Sequence, residues 1–558
     1  MDEKPLTVNR QPSTVNCKPQ TVNPHPRQPA RNQHQSLISE GGDETPGDRF
    51  LRRFFFNPLG RAFLYVEAWF NLAFGTALNP FYHLGSLVFF FLWIVLVSGI
   101  YLYIFFDTSI VGSYQSIESL THGQWYLGGV MRSLHRYASD AAVVVTVLHI
   151  LREFALGRYR GFRWFSWFTG VPPLWVMVLL GVTGYWLVWD QVAQYVAVSS
   201  ARLMDALPLL SNSMTRNFLS GKLSDRFFTL MTLIHLVGGP ITLVFALWIH
   251  VKRLSNVDPM GPRGLAIGSL LALIVLSLVK PALSLGPADM SKVPVVLNID
   301  WFYLNAFPLL NHWSEGAVWV LILGLSLLLA LLPWLPPRRM PAAARVRLDH
   351  CNGCGQCFLD CPFDAISMRK RSDGAHWATE AVVNPDLCAS CGICVGSCPS
   401  SNPFRRADER LTTGIDMPQV PIHETHAAAK AALSSLKGET RLLIFGCNHG
   451  VNLAEIHDPG IATMTFSCIG MLPAGFIDYA LKNGADGVMI SGCRSSDCYY
   501  RFGNRWMEQR LSGGRMPHLR KNTDRSHLHI CWAAGPDKDH FLRELKAFRR
   551  RLSDERQR

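Results

Sequence analysis

Four histidines, His135, His149, His235 and His250, fall in two pairs fourteen and fifteen residues apart, each inside an apolar segment long enough to cross a bilayer. At ~1.5 Å rise per residue the members of a pair stand roughly 21 Å apart along a helix, so two such helices can offer facing imidazoles at two depths. Neutral imidazole is a good axial ligand for haem iron, and two per iron give a six-coordinate electron carrier. A lone intramembrane histidine is more often a satisfied core group, because polar residues there are costly and rare. Four at matched spacing predict two b haems, one near each membrane face.

The apolar residues concentrate between Leu84 and Trp334, where six spans are expected at about 84–106, 128–155, 172–190, 228–251, 264–280 and 316–335. At 558 residues the chain is too long for one domain, and the rest of it is soluble in character. The net charge of +13 could suggest nucleic acid, but the basic residues cluster beside the spans. Arg49, Arg52, Arg53 and Arg61 precede the first span. Arg152, Arg158, Arg160 and Arg163 follow the second, Lys252, Arg253 and Arg263 the fourth, and Arg338, Arg339, Arg345 and Arg347 the sixth. The loop from Asp107 to Gln124 has no Lys or Arg. The positive-inside rule then places both termini in the cytoplasm of an inner-membrane, multi-pass protein, and a nucleic-acid role loses its support.

The first fifty residues are polar and proline-rich, with tandem heptads beginning at Thr7, Thr14 and Thr21. Lacking apolar a and d positions, they predict a disordered tail rather than a coiled coil, with Cys17 idle and no signal peptide. Fourteen cysteines beside a cytoplasmic soluble part argue for metal rather than disulfides. Eight lie between Cys351 and Cys398, four are Cys447, Cys468, Cys493 and Cys498, and Cys17 and Cys531 are left over.

The text RSLHRYASDAAVVVTVLHILREFALGRY, followed by TGVPPLWVMVLLGVTGYWLVWDQ, closely resembles cytochrome b of the quinol-oxidising complexes, in detail the b-six type, over about residues 82–335. The resemblance implies that His135 and His235 hold the outer haem and His149 and His250 the inner. Gly85 and Gly99, and Gly170 and Gly184, repeat the fourteen-residue interval, and glycine clears the backbone for a flat macrocycle. Close packing of membrane helices is the other use of such glycines. Arg132 and Arg152 suit haem propionates, with simple topological anchoring the alternative for Arg152.

In that family the outer quinol site uses the end of the third span and a Pro-Glu-Trp-Tyr segment. The corresponding residues here are Tyr185 and Trp189, then Asp300, Trp301, Phe302 and Tyr303. Asp300 is the candidate base for a quinol proton; a solvated aspartate in an interfacial aromatic belt is the alternative. Val188 stands where the family has proline, Asp300 where it has glutamate. His83 takes the place of the cysteine that binds an extra haem in the b-six type, so no thioether-linked haem is expected.

CNGCGQCFLDCP from Cys351 and CASCGICVGSCP from Cys388 each fit C-x2-C-x2-C-x3-C-P, the pattern of two-cluster ferredoxins, in which the fourth cysteine of each run serves the other cluster. One 4Fe-4S cluster is expected on Cys351, Cys354, Cys357 and Cys398, the other on Cys388, Cys391, Cys394 and Cys361. RLLIFGC ending at Cys447 and GADGVMISGCRSSDCYYRFGN are similar to the delta subunit of methyl-viologen-reducing hydrogenase over residues 440–510. That resemblance implies an α/β domain with a 2Fe-2S cluster on Cys447, Cys468, Cys493 and Cys498, although CNHG lacks a nearby second cysteine and Tyr499 replaces the usual histidine.

The expected fold is therefore multidomain. A disordered tail (1–50) precedes an all-α, six-span membrane bundle (51–337). An α+β dicluster ferredoxin domain (338–410), a connector (411–438) and an α/β iron-sulfur domain (439–558) follow. The modules are expected to follow one another in space as in sequence, as a quinone-linked oxidoreductase component. Its partner would be a cytoplasmic flavin or iron-sulfur oxidoreductase: a heterodisulfide-reductase-like protein, a hydrogenase or a formate dehydrogenase. A homodimer is plausible by analogy with the cytochrome b relatives. The alternatives are a wire to a protein outside the membrane without its own quinone site, or a membrane-tethered redox sensor.

Overall fold

The computed structural model describes residues 57–208, 225–294, 296–335, 341–405 and 410–557. The heptads, Cys17, Arg338 and Arg339 lie outside them. Helices α1 (Asn57–Leu78), α2 (Leu84–Phe105), α3 (Val130–Ala155) and α4 (Trp164–Val188) are followed by α5 (Gln191–Asp205). Next come α6 (Asp225–Leu233), α7 (Gly239–Val251), α8 (Arg263–Val279) and α9 (Glu315–Leu331). All six expected spans contain a helix. Among the described residues, four stretches, Pro80–Phe105, Gly161–Val188, Phe228–Val251 and Glu315–Trp334, are long and apolar enough to cross a membrane. The other two differ for physical reasons: α8 has only 17 residues, and α3 carries Arg132, Arg136, Asp140, Arg152 and Glu153 among its apolar residues. α3 packs along α2, and α7 along α4.

The unequal spacing of the histidine pairs has a local cause. At about 100° per residue, a fifteenth residue would swing the second imidazole a further ~100° around the helix. Between α6 and α7, residues Ile234–Gly238 form one wide π-type turn just before Pro240. Such a turn absorbs one extra residue, so the fifteen-residue interval acts as fourteen and His235 and His250 keep a common face. Pro240, which cannot donate a backbone hydrogen bond, is an identifiable reason for the turn.

The soluble part begins with two antiparallel pairs, β1 (Arg345–Val346) with β4 (Ile415–Asp416) and β2 (Ile366–Lys370) with β3 (Thr379–Val383). Two short helices, α10 (Gln356–Asp360) and α11 (Ile393–Ser397), start after Gly355 and Gly392, both in the left-handed region at φ 74° and 76°. A β-carbon at Gly392 would also lie 2.6 Å from Met471 Sδ, so glycine is required there. The segment expected as a connector holds α12 (Ile422–Ser435), whose Ile422, Ala429 and Leu433 enter the core shared by the ferredoxin region and the C-terminal sheet.

That sheet is all parallel, in the order β6 (Ile461–Phe466), β5 (Leu442–Cys447), β7 (Gly487–Gly492), β8 (Leu528–Trp532). β5 and β7 are buried along their whole length, as their unbroken apolar runs require in a sheet covered on both faces. α13 (Gly475–Lys482), α14 (Gly503–Ser512) and α15 (Lys538–Gln557) complete the domain. The fully buried Arg510 of α14 pairs with Asp360 of α10 at 2.7 Å and donates to Gly470 O at 2.8 Å, binding the ferredoxin region to the C-terminal domain.

Candidate functional site

The bundle brings the four histidines together as two pairs. His135 and His235 have ring centroids 6.3 Å apart. His135 Nδ1 lies 2.9 Å from Val95 O and 3.2 Å from Ser98 Oγ, and His235 Nδ1 lies 3.1 Å from Thr183 Oγ1. A partner on Nδ1 fixes the ring and leaves Nε2 for a metal. His149 and His250 line one cavity of about 200 Å³ together with Gly85 and Gly170.

Each of the four glycines faces one histidine. A β-carbon would lie 2.9 Å from His135 Cε1 at Gly99, 3.0 Å from His235 Cε1 at Gly184, 3.1 Å from His250 Cε1 at Gly170 and 3.9 Å from His149 Cε1 at Gly85. This one-to-one matching fits haem between the paired helices. Gly99→Ala should therefore lower occupancy of a haem at His135 and His235, while Gly85→Ala, in ordinary van der Waals space, should not lower that of one at His149 and His250; haem-to-protein ratios of the two variants check this.

The arginines fall elsewhere than expected. Arg132 donates to Thr121 Oγ1 at 2.5 Å and Ser284 Oγ at 2.6 Å, within a loop network at its own end of the bundle. Arg152 pairs with Glu67 at 2.6 Å and Asp497 at 3.0 Å. The cationic residues that line the His149–His250 cavity are Arg158, Arg163 and Arg253. Their clustering was readable as topology, but not which of them would line the cavity.

The cysteines lie close to one another in three places. Cys361, Cys388, Cys391 and Cys394 line one small cavity. Burial raises the Cys357 thiol to about 12, with Cys398, Cys354 and Cys351 adding to the rise, as four converging sulfurs would. In the C-terminal domain the connection from β5 runs to one side of the sheet and that from β7 to the other. Cys447 ends β5 and Cys493 follows β7, so both sulfurs meet, 3.7 Å apart, in the crevice at the carboxyl ends of these strands. Gly503 leaves room for Cys468 and Cys498, since a β-carbon there would lie 2.1 Å from Cys468 Sγ and 3.3 Å from Cys498 Sγ. Among the described residues no three His, Cys, Asp or Glu converge tightly enough for one bare ion. A 4Fe-4S cluster, with one iron behind each thiolate, needs wider spacing than a single ion, so the two ferredoxin sets fit clusters better than zinc, while Cys447 and Cys493 have the spacing of two thiolates that share one iron. Gly503→Val should remove the iron of the C-terminal centre and spare the ferredoxin irons, as iron analysis with electron paramagnetic resonance (EPR) would report.

Spatial order departs from chain order. Cys391 packs with Cys468 and Trp506, and Cys498 lies against them. The loop between Cys493 and Cys498 sits on the end of α3: Asp497 accepts from Arg158 at 2.6 and 2.9 Å as well as from Arg152, and Arg494 pairs with Glu67 at 3.2 Å. Phe363, Asp386 and Leu387, beside Cys361 and Cys388, line the His149–His250 cavity. The C-terminal set thus lies against both the bundle and the ferredoxin, not beyond the ferredoxin, because side-chain pairing rather than linker length fixes its position.

Burial alone would raise the Asp497 carboxyl, but the Arg152 and Arg158 guanidiniums hold it well below the usual carboxylate range. A depressed folded-state value means that its stabilisation is complete at neutral pH and fades as pH falls below about 3.9, the ordinary aspartate value. Asp497→Ala leaves two buried guanidiniums short of a partner and should cost about 3–5 kcal/mol. Thermal unfolding and protease sensitivity of the C-terminal domain measure the loss.

At the other end, Asp300 Oδ2 accepts from Tyr185 OH at 2.7 Å and Arg136 at 2.9 Å, and Oδ1 from Phe302 N at 2.7 Å. Tyr303 OH contacts Ser139 Oγ at 2.5 Å, its ring admitted by Gly181. Trp189 instead packs edge-on against Phe228 at 4.9 Å, and Trp301 is 72% exposed. The structure therefore unites Asp300 with Tyr185, and Tyr303 with Ser139 nearby on α3, and leaves the two tryptophans apart. It adds Arg136, which also pairs with Asp140 at 3.2 Å; their four-residue separation on α3 was a readable signal.

Paired membrane histidines joined to three cysteine sets define a class, membrane electron-transfer proteins. Family profiles make this particular: "Cytochrome b/b6/petB" matches residues 70–257, "4Fe-4S dicluster domain" residues 350–402, and "Methyl-viologen-reducing hydrogenase, delta subunit" residues 446–554. The chain joins these three domains in one polypeptide. Over 189 residues it is 27% identical to "Cytochrome b6" of Synechococcus elongatus, and over 190 residues 29% identical to that of Porphyra purpurea. It is 28% identical over 198 residues to the "Menaquinol:cytochrome c reductase cytochrome b subunit" of Geobacillus thermodenitrificans. Each comparison covers 33% of this chain and 86% of the relative. A solved structure named "Hyperthermophilic respiratory Complex III" aligns with a TM-score of 0.38 and 20% identity, over 46% of this chain and 75% of that one.

Proposed function

We propose that the chain carries electrons between the membrane quinone pool and a cytoplasmic redox partner, as a subunit of a larger oxidoreductase. In this reading six helices span the inner membrane, with both termini and the iron-sulfur modules on the cytoplasmic side. His135 and His235 hold an outer b haem and His149 and His250 an inner one. The ferredoxin cysteines hold two 4Fe-4S clusters, and Cys447, Cys468, Cys493 and Cys498 hold a 2Fe-2S cluster. When bound, these groups supply one-electron chemistry; the chain's residues fix their positions, keep water from the inner pair and set the local field.

One observation carries the reading: residues beside Cys361 and Cys388 help to line the His149–His250 cavity. A membrane haem site roofed by iron-sulfur ligand loops favours transfer from haem to cluster. The partner that fits is a flavin-containing heterodisulfide-reductase-like protein, a hydrogenase or a formate dehydrogenase, by analogy with the delta subunit.

The test is anaerobic addition of a menaquinol analogue to the purified chain in lipid nanodiscs. Reduced-haem bands should be followed by reduced-cluster EPR signals, with about ten non-haem irons per chain. Haem reduction with no cluster reduction at any poised potential overturns the reading. The rival wire without its own quinone site is favoured by the engagement of Asp300 with Arg136 and Tyr185, which takes both acceptor positions of Oδ2 on the proposed base.

A further inference from the structure

Of the described cysteines Cys354 alone is exposed. Phe358 and Leu359, between Cys357 and Cys361, are 47% and 59% exposed although they belong to the soluble part. The β2–β3 hairpin closes over the same loop: Thr379 Oγ1 donates to Gly353 O at 3.1 Å, and Arg371 donates to the Cys351 carbonyl. Its turn presents an exposed Trp377, and Lys370 lies opposite Thr379 in register, with Arg369 beside it and both exposed. The other cluster sites face inward, one towards the His149–His250 cavity and one against both the bundle and the ferredoxin region.

We propose that the Cys351, Cys354, Cys357 and Cys398 cluster is the terminal centre. Phe358, Leu359 and Trp377, flanked by Arg369 and Lys370, form the landing surface for a one-electron carrier protein with an acidic rim. This rests on the electron-transfer reading above, and it makes the C-terminal centre an internal station rather than the outlet. One electron crosses between cluster and carrier, one being oxidised as the other is reduced, with no bond or proton exchanged. Exposed apolar side chains grouped at a redox centre mark an interaction site, and the basic flank selects the sign of the partner and speeds encounter.

The test uses the full chain in nanodiscs of neutral lipid. A water-soluble dysprosium chelate should speed the EPR relaxation of a ferredoxin 4Fe-4S signal and leave the C-terminal signal unchanged; the converse overturns the terminal assignment. A small acidic 2Fe-2S ferredoxin serves as the binding probe. Arg369→Glu with Lys370→Glu, and separately Trp377→Ala, should weaken its binding at least tenfold at low salt with cluster signals intact, whereas Arg505→Glu, at an exposed position of α14, should not. Undiminished binding in the first two variants, no binding by the unmodified chain, or loss only in Arg505→Glu overturns the landing surface. So does loss of affinity for phosphatidylglycerol vesicles in place of ferredoxin, which would assign the patch to lipid. Haem content and quinol-driven reduction, measured on the same samples, separate failure of the electron-transfer reading from failure of this one.

Discussion

His149→Ala or His250→Ala should leave the chain with one b haem instead of two and stop quinol electrons from reaching the clusters. In the proposed assignment each imidazole is half of a haem's ligand set, and both line the same cavity with Gly85 and Gly170. Removing either would leave a haem at this site held by one imidazole only, beside a larger apolar hole. The outer haem should persist, because His135 and His235 are held by Val95 and Thr183 on separate turns of α2 and α4. A pyridine haemochrome assay reads the haem count. Cluster reduction by dithionite should remain normal while reduction by quinol disappears, which separates a broken path from a misfolded cytoplasmic half. Two haems remaining in either variant would sink the ligand assignment.

How much of this was legible in the chain differs by module. Histidine spacing, the glycine intervals and the cysteine runs are local patterns: the structure pairs His135 with His235, puts His149 and His250 on one cavity, sets each glycine against one histidine and brings Cys361 beside Cys388, Cys391 and Cys394. The fifteen-residue interval was visible, but its consequence depended on a wide turn at Ile234–Gly238. Segment 411–438 is polar and alanine-rich, yet a one-sided set of Ile422, Ala429 and Leu433 is enough to dock α12. The position of the C-terminal set was not legible. It is fixed by pairings such as Arg158 with Asp497 and Arg510 with Asp360, across separations of 339 and 150 residues, which no local pattern announces. Arg152 illustrates the limit: its charge and place suited a propionate, and the competing carboxylates Glu67 and Asp497 come from elements far away in sequence.

Asp300→Asn should slow quinol-driven reduction of the outer haem by ~100 to 10,000-fold, with haem content unchanged. An ionised carboxylate offers about four acceptor positions, and Tyr185, Arg136 and Phe302 N occupy three, so one remains for a quinol hydroxyl. The asparagine keeps the shape but cannot take the proton, and it leaves Arg136 to Asp140 alone. Stopped-flow haem absorbance, with dithionite reduction as the control, measures the effect. The sign also bears on direction. Transfer from an outer quinol site through both haems to the cytoplasm runs against the usual membrane potential, at ~2.3 kcal/mol per charge per 100 mV. A chain using this site must therefore couple its electrons to a favourable outlet, and collapsing the potential with an uncoupler should raise the rate in vesicles. If Asp300→Asn leaves the rate unchanged while substitutions around His83, whose Nε2 lies 3.0 Å from Ala77 O, lower it, quinone binds on the opposite face and the uphill step disappears.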